Sequence, residues 1–531
     1  MSQVIDHVAL LPAYLAGATA VLALLADLAL GRRRVTLATT AAGAVAVAVA
    51  AWLVGTGPVR ETFCVADAGC SYVAEPVSAA MAVLFALLTL GVLALSVRAV
   101  RELPAGEYCF LLACSLAGGV ALAYARDLIT LIVALETLTL PLYALVGLRR
   151  GSLASAQGAL TMFVISVVAA AVTLLGAALL YAATGAVHLG ALAEALAAGV
   201  DAELTPLARV GVVLVVAGLA FKVAAVPFHA WAPPAYDGAP VPVAAYLSTA
   251  SKLGGVVAIV YVVGVAFRPW LAVVGPPLAV IAILTMTVGN LVALRQRRMV
   301  RLLAWSSVAQ AGYLLAPLGG FAVASGRTAG VVALALTATV AYTIFYVLIE
   351  LAAFGSVVAL RDGAADGGVI AEYQGVARQA PLVGAAFALA LVGLAGLPPG
   401  LAGLFAKVAV VRAVLAGDGW WLAVVIALNV VIALAYYLRV AARLYTAPAT
   451  QGEATAPGAA PVTAAAGRGT AVEQGAPLTA PAGSGAPFVG PAPNRTPRLV
   501  GVTLAAATLL AIVAGFAPQL VLDVAGFAAF R

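Results

Sequence analysis

The chain has 531 residues, of which 64% are hydrophobic and 9% charged, with a formal net charge of +7. This composition excludes an ordinary soluble domain, and apolar runs of about 20 residues without alternation exclude an outer-membrane β-barrel. The excess positive charge comes from arginines that flank the apolar runs, which is typical of a membrane protein and gives no support to nucleic-acid binding.

The apolar runs predict an all-α polytopic membrane protein with about 14 transmembrane helices. In chain order the predicted spans cover residues 9–31, 35–55, 77–97, 107–125, 128–147, 157–183, 206–226, 240–267, 270–294, 303–321, 329–360, 382–414, 420–445 and 499–523. The first run follows Asp6 and ends at three arginines, so we expect a retained span and not a cleaved signal peptide.

The spans group into five regions. We expect three N-terminal helices over residues 1–106, a first five-helix repeat over 107–267, a second and inverted five-helix repeat over 268–445, a flexible Ala/Pro/Gly-rich cytoplasmic linker over 446–497, and a last transmembrane helix over 498–531. An odd number of spans in each five-helix block inverts the second block relative to the first.

Arginine distribution predicts the orientation. Most of the arginines fall in alternate loops, which are Arg32–Arg34, Arg98/Arg101, Arg149/Arg150, Arg295–Arg301, Arg361/Arg378 and the region from Arg439 to Arg498. The positive-inside rule assigns those loops to the cytoplasm and therefore both termini to the outer face of the membrane.

The four cysteines give no sign of a redox centre. Cys64 and Cys70 lie in a polar loop that we assign to the outside, where a disulfide between them is one of two open alternatives. Cys109 and Cys114 lie within an apolar run and are expected to be small core residues. With no CxxC, haem or iron–sulfur pattern, we expect no cofactor and no metal in this chain.

Two of the long spans are interrupted by proline and glycine. One contains FKVAAVPFHAWAPPAYDGAPVP, with Pro227 five residues after Lys222, and the other contains GLAGLPPGLAGLFAKV, with Pro398–Gly400 before Lys407. These spans are the fourth of each five-helix block. Broken helices at matching places in inverted repeats predict a transport site near the middle of the membrane.

The chain has only three lysines, Lys222, Lys252 and Lys407, and all three lie within apolar runs. A lysine at the centre of a bilayer costs roughly 2.5–3.5 kcal/mol on insertion scales. A desolvated lysine can release its proton, whereas an arginine effectively cannot. Three lysines placed only where they are costly therefore predict proton transfer.

Glu136 lies far from either end of its predicted span, and we expect it to pair with Lys222. A purely structural tie between two helices is the alternative for Glu136, and a lysine that reaches to the interface is the alternative for Lys222. We expect Lys252 to relay protons near mid-span, and Lys407 to be the exit-side site and the counterpart of Lys222. The alternative for Lys252 and Lys407 is a structural contact.

Two further residues are secondary candidates. Glu350 is buried in the span over 329–360, where it could partner Lys407 or the inner arginines, or only pack helices together. His229, next to the break at Pro227, could relay protons or cap the loop. Tyr436, Tyr437 and Arg439 are interpreted as an anchor at the inner membrane interface.

These residues resemble a known family. FKVAAVPFHAWAPPAYDGAPVPVAAYLSTASKLGG and GNLVALRQRRMVRLLAWSSVAQAGYLL are similar to the antiporter-like proton-translocating subunits, and LAGLPPGLAGLFAK with AYYLRV resembles the subunit N members of bacterial NADH–quinone oxidoreductase, respiratory complex I. The resemblance covers most of residues 107–445 in the right order. It implies a proton channel of two inverted repeats whose key groups fall on Glu136, Lys222, Lys252 and Lys407.

The resemblance also implies partners. They would be the other membrane-arm subunits of complex I, including neighbouring antiporter-like subunits, in the lipid bilayer of the bacterial plasma membrane, with NAD, FMN, iron–sulfur clusters and quinone held by partner subunits. The open alternatives are a subunit of a multisubunit cation/proton antiporter and a scaffold that pumps nothing.

Several positions depart from the family pattern. Gln157 and Thr161 stand where an acidic residue and a lysine are common, Pro234 replaces an aspartate, Gln310 replaces a histidine, and Glu350 replaces a neutral amide.

Overall fold

A computed structural model describes residues 5–66, 68–361, 366–447 and 496–526. The helices are α1 (Leu11–Leu30), α2 (Arg33–Gly55), α3 (Pro76–Leu95), α4 (Ala105–Tyr124), α5 (Leu128–Val146), α6 (Leu153–Thr184), α7 (Leu189–Ala198), α8 (Thr205–Lys222), α9 (Ala232–Gly238), α10 (Val241–Ala266), α11 (Leu271–Ala293), α12 (Met299–Gly319), α13 (Ala329–Leu360), α14 (Pro381–Ala395), α15 (Leu401–Ala416), α16 (Trp420–Tyr445), α17 (Arg498–Phe516) and α18 (Pro518–Gly526). The all-α membrane fold is confirmed.

Twelve of the described helices are long and apolar enough to span a membrane. The other two predicted spans are α12, whose middle carries Ser306, Ser307 and Gln310, and the segment that divides into α14 and α15. The count of fourteen, the inverted repeats and the domain boundaries therefore stay predictions. Most of the predicted linker, residues 448–495, lies outside the described residues.

A hairpin precedes α3. Strands β1 (Arg60–Val65) and β2 (Gly69–Ala74) pair antiparallel, with Cys64 opposite Cys70. Their sulfur atoms form a disulfide, which decides between the two alternatives left by the sequence. Neither these strands nor the short apolar helix α7 in the loop before α8 was expected from the sequence.

Helix α10 lies at the centre of the molecule. In its most apolar 18-residue window 94% of the residues are buried, compared with 22% in α1 and 28% in α17. The peripheral helices expose leucine and valine side chains to the surroundings, as lipid-facing helices must, whereas α10 is enclosed by protein. This placement puts Lys252 in the interior.

Both interrupted spans break where proline and glycine predicted. Helix α8 ends at Lys222 and the chain resumes as α9, while α14 ends at Gly396 in a left-handed conformation before α15 begins. At the first break the carbonyl of Phe221 accepts hydrogen bonds from the Trp231 indole at 3.1 Å and from the amide of Ala224 at 2.9 Å. Such compensation allows non-helical backbone inside a membrane protein.

An arginine at the start of α12 links α9 to the loop after α13. The guanidinium of Arg298, at the start of α12, contacts Asp237 of α9 at 2.9 Å and Asp366 of the loop after α13 at 2.6 Å. The connection after α13 contains two short helical turns, Ile370–Tyr373 and Val376–Gln379.

Candidate functional site

The first polar cluster joins α5, α6 and α8. Lys222 Nζ donates to Glu136 Oε1 at 2.7 Å, to Thr139 Oγ1 at 3.1 Å and to Ser166 Oγ at 3.2 Å. The lysine side chain is 4% exposed and the glutamate 22%. The expected pairing of these two residues is therefore present. Each of the three N–H donors of the buried ammonium group has an acceptor. Tyr143 extends the cluster through a hydrogen bond to Ser166.

The second polar cluster surrounds Lys252. Its ammonium group donates to the carbonyl of Ser307 and, at 2.6 Å, to the hydroxyl of the same residue. Ser307 in turn lies 2.8 Å from the Tyr346 hydroxyl and 3.3 Å from Ser248. Because α10 has a π-helical segment at Leu247–Ser251, just before Lys252, its local register departs from an α-helix.

Glu350 belongs to this second cluster. Ser248 donates to Glu350 Oε1 at 2.7 Å, and Oε2 is buried without a hydrogen-bond partner among the described residues. The expectation that Glu350 would partner Lys407 or the inner arginines is wrong. Helix α13 turns this carboxyl towards α10, so hydroxyl groups connect it to Lys252.

The third polar cluster lies at the second break. Lys407 Nζ donates at 2.7 Å to the carbonyl of Leu394, which also accepts from Gln310 Nε2 at 3.0 Å. The carbonyl ends of α14 carry the negative end of its dipole, which favours an ammonium group there. Gln310 also binds Tyr342 and, at 3.0 Å, Tyr437.

Lys222 and Lys407 occupy their breaks differently. Lys222 is the last residue of the helix before its break, whereas Lys407 lies on the helix after its break and reaches back to it. The two lysines therefore differ in their order relative to the break, and the role of Lys407 as the counterpart of Lys222 stays a prediction.

Lys407 also lines a cavity of about 770 Å³ between α15 and α16. Arg412 lies on the same cavity, and the rest of the lining is mainly apolar, including Val411 and Ile426. The cavity therefore adjoins the third cluster at Lys407.

The clusters are neighbours without forming one continuous hydrogen-bonded chain in the described residues. Ser307 and Gln310 are one helical turn apart on α12, which brings the second and third clusters together. Between the first and second clusters Gly255 of α10 packs on the backbone of Lys222, where an added Cβ would lie 3.1 Å from the Lys222 carbonyl carbon.

His229 stands apart from these clusters. It lies between α8 and α9, and its ring contacts that of Trp305 at a tilt of 57° with ring centroids 5.2 Å apart. Its carbonyl accepts a hydrogen bond from the amide of Ala232. Its Nδ1 is buried without a hydrogen-bond partner among the described residues. The contacts fit a loop residue.

Sequence reasoning missed several hydroxyl groups in the clusters. Tyr437 is fully buried and contacts Ser306 and Gln310, so the interpretation of the tyrosine pair as an interface anchor is wrong. Arg439 does hold the end of α11, through the carbonyls of Leu294 and Gln296. The signal that could have found Ser307 is its place among polar residues in the middle of an apolar helix.

One group of metal-ligating residue types gathers in the described part of the chain, namely Glu61, Cys64 and Cys70. The disulfide between the cysteines removes the thiolates that a metal ion would bind.

Comparisons with known proteins show the family of the chain. Residues 125–433 match the family model described as NADH:quinone oxidoreductase/Mrp antiporter, transmembrane. The chain is 61% identical over 527 residues to NADH-quinone oxidoreductase subunit N of Salinispora tropica, covering 99% of each chain.

Two solved structures share the fold. A chain of respiratory complex I from Thermus thermophilus with bound aureothin is 27% identical, with a TM-score of 0.73 over 96% of this chain and 98% of that one. A chain of the Mrp complex from Dietzia sp. is 24% identical, with a TM-score of 0.76 over 98% and 96%. At that identity the second likeness concerns the fold alone.

Proposed function

Because the chain belongs to the subunit N family of the NADH–quinone oxidoreductases, we propose that it moves protons across the membrane through Glu136, Lys222, Lys252 and Lys407. As an antiporter-like membrane-arm subunit of complex I, it lies in an oxidoreductase complex. One observation carries the proposal. All three lysines of the chain are buried in polar clusters in the interior of the helix bundle.

The first cluster supplies the switch. While Lys222 is held by Glu136 at 2.7 Å, its charge is neutralised locally. If the pair opens, the uncompensated positive charge of Lys222 lowers the proton affinity of Lys252. Quinone reduction, with NAD, FMN and iron–sulfur clusters, takes place in partner subunits and biases this pair through neighbouring membrane-arm subunits.

The second and third clusters supply the path. Lys252 can release its proton along the hydroxyls of Ser307 and Ser248, each of which passes on its own proton as it accepts one, so that the carboxylate of Glu350 takes up the proton. Lys407 then takes a proton by way of the region around Gln310 and releases it into the cavity that it shares with Arg412. His229 is left with a secondary role beside the first break.

The proposed setting is the bacterial plasma membrane, with both termini on the outer face. The support is the arginine asymmetry of the loops. Under this orientation the cluster of Arg298, Asp237 and Asp366 faces the cytoplasm.

A subunit of a cation/proton antiporter is the second candidate, since the matching family model covers both NADH:quinone oxidoreductases and Mrp antiporters. The high identity to subunit N favours the oxidoreductase. Purification of the chain together with flavin and iron–sulfur subunits distinguishes the two. A scaffold that pumps nothing would tolerate neutral residues at all three lysines.

The test is replacement of Lys252 by Met and by Arg in the native membrane. We expect both variants to assemble and both to lower NADH-driven proton uptake per quinone reduced, because methionine cannot bind a proton and arginine cannot release one. If Lys252 had only a structural role, Lys252→Arg would keep the positive charge and would pump normally. Full pumping by an assembled Lys252→Met complex would reject the proposal.

A further inference from the structure

A basic cavity lies far from the lysine clusters, where the connection between α1 and α2 meets the connection between α3 and α4. Its volume is about 720 Å³. Four arginines line it, namely Arg32, Arg33, Arg34 and Arg101. We propose that this cavity, which we call the arginine cavity, binds the phosphate headgroup of an anionic membrane phospholipid.

Two separate segments of the chain build the arginine cavity. Arg33 donates from its guanidinium to the carbonyl of Arg101 at 2.8 Å, across 68 residues of sequence. This contact fixes the two connections against each other, so the arginines converge in space and are not only neighbours along one loop. The positive-inside rule requires positive charge on this side of the membrane, but it does not require the arginines of two connections to line one cavity.

Within the part of the chain that the structure describes, the arginines of the arginine cavity have no acidic partner. Among the described residues no carboxylate lies within 4 Å of the guanidinium groups of Arg32, Arg33, Arg34 or Arg101. The nearby Asp27 of α1 does not line the cavity and accepts a hydrogen bond from Thr36 at 3.0 Å. A cavity lined by several uncompensated guanidinium groups attracts an anion, and phosphate matches their planar donors.

The backbone adds donors at the same place. Helix α2 begins at Arg33 without a side-chain cap, and its first amides to bond within the helix are those of Val35 and Thr36, which donate to the carbonyl of Arg32. The amides of Arg33 and Arg34 therefore have no intrahelical partner. A helix amino terminus favours negative charge. Here it supplements the arginines, which carry most of the attraction.

The remainder of the lining distinguishes a lipid from a free anion. Val35, Leu37, Val97 and Val100 complete the cavity, so a basic rim stands over an apolar floor. A phosphate ion would leave that apolar floor exposed to water, whereas the glycerol backbone and upper acyl chains of a phospholipid would cover it. Helices α1 and α2 continue the apolar surface along the bilayer, with Leu28 74% exposed. Basic pockets on the cytoplasmic side of membrane proteins are known to favour anionic headgroups.

The test uses phosphatidylglycerol that carries a diazirine in one acyl chain. The probe is included as a minor component of phosphatidylcholine vesicles that contain the assembled complex, and labelled peptides are mapped after irradiation. We expect labelling of the segments around Leu37 and Val97, competition by unlabelled phosphatidylglycerol, and little labelling by the phosphatidylcholine analogue.

Two variants and a control separate the explanations. Neutralising three arginines (Arg33→Gln, Arg34→Gln and Arg101→Gln) should lower labelling on the order of a hundredfold at about 1 kcal/mol for each charge. Neutralising Arg150, Arg295 and Arg297, which do not line the cavity, should leave labelling unchanged. Val97→Trp keeps all the charge and fills the floor, and should also abolish labelling.

Three outcomes would overturn the proposal. The first is equal labelling of the wild type and the Arg33/Arg34/Arg101 variant. The second is unchanged labelling of Val97→Trp, which decides the question if the arginine variant does not assemble. The third is displacement of the probe by inorganic phosphate, which would assign the cavity to a free anion.

Discussion

Glu350 is joined to Lys252 through two hydroxyl groups. The steps run from Lys252 to Ser307 at 2.6 Å, from Ser307 to Ser248 at 3.3 Å, and from Ser248 to Glu350 at 2.7 Å. A carboxyl group in such a set can accept a proton that a lysine releases, and an amide of the same shape cannot.

We therefore expect Glu350→Gln to assemble and to lower proton uptake per quinone reduced severalfold, since the amide oxygen keeps the hydrogen bond from Ser248 but cannot take up a proton. The measurement is NADH-driven proton uptake in membrane vesicles with quinone reduction followed in parallel. Glu194→Gln, on an exposed face of α7, is the matched control. Pumping equal to that of the control would leave Glu350 with a packing role only.

Sequence reasoning found the residues of the site more readily than their partners. Glu136 and Lys222 could be paired in advance, because each is an isolated charge in an apolar run and the charges are opposite. The partner of Glu350 could not, because it depends on how α13 is rotated against α10. That rotation is set by packing between residues about a hundred positions apart and by the π-helical segment before Lys252.

At the scale of elements, the second break depends on close contact between α14 and α15. An added Cβ on Gly403 would collide with the carbonyl of Gly393, and one on Gly400 would collide with the Gly393 backbone. Only glycine allows this approach. The approach brings Lys407 to the carbonyl of Leu394.

We expect Gly403→Ala to push α15 away from α14, to lower the thermal unfolding midpoint of the detergent-solubilised complex, and to reduce pumping as Lys407 loses its carbonyl partner. Gly501→Ala is the control, because a Cβ at this helical glycine of α17 meets nothing within 4 Å. If both alanine variants behave like the wild type, the close contact is not needed to place Lys407.

The two breaks were predictable because proline and glycine interrupt apolar runs that are otherwise long enough to span the membrane. The lengths of the half-helices were not predictable. The end of α8 at Lys222 is fixed by contacts such as that of Trp231 with the carbonyl of Phe221, which hydropathy does not encode. The same limit explains why the hairpin and α7 were missed, since both are short and lie in loops.

At the scale of the whole molecule, the two predicted repeats, 107–267 and 268–445, contact each other outside the lysine clusters as well as within them. Arg298 binds Asp237 in one half and Asp366 in the other, at the start of α12. Burial alone would raise the pKa of Asp366, but the hydrogen bonds and charge of Arg298 outweigh it and hold this pKa below its ordinary value. Arg298 thus stabilises the ionised form of the Asp366 carboxyl group in the folded protein.

We expect Arg298→Gln to lower the stability of the complex at neutral pH by about 1 kcal/mol, because these partly exposed ion pairs are screened by water. A carboxyl whose pKa is lowered by folding contributes stability above its unfolded pKa of about 3.9, and the contribution is lost as the pH falls through the folded value. The difference between Arg298→Gln and wild type should therefore shrink below about pH 4. Thermal unfolding midpoints measured across pH in detergent test this, with Arg295→Gln, an exposed arginine in the same loop, as control. A difference that persists unchanged at low pH would show that Arg298 stabilises the junction by packing and not by its charge.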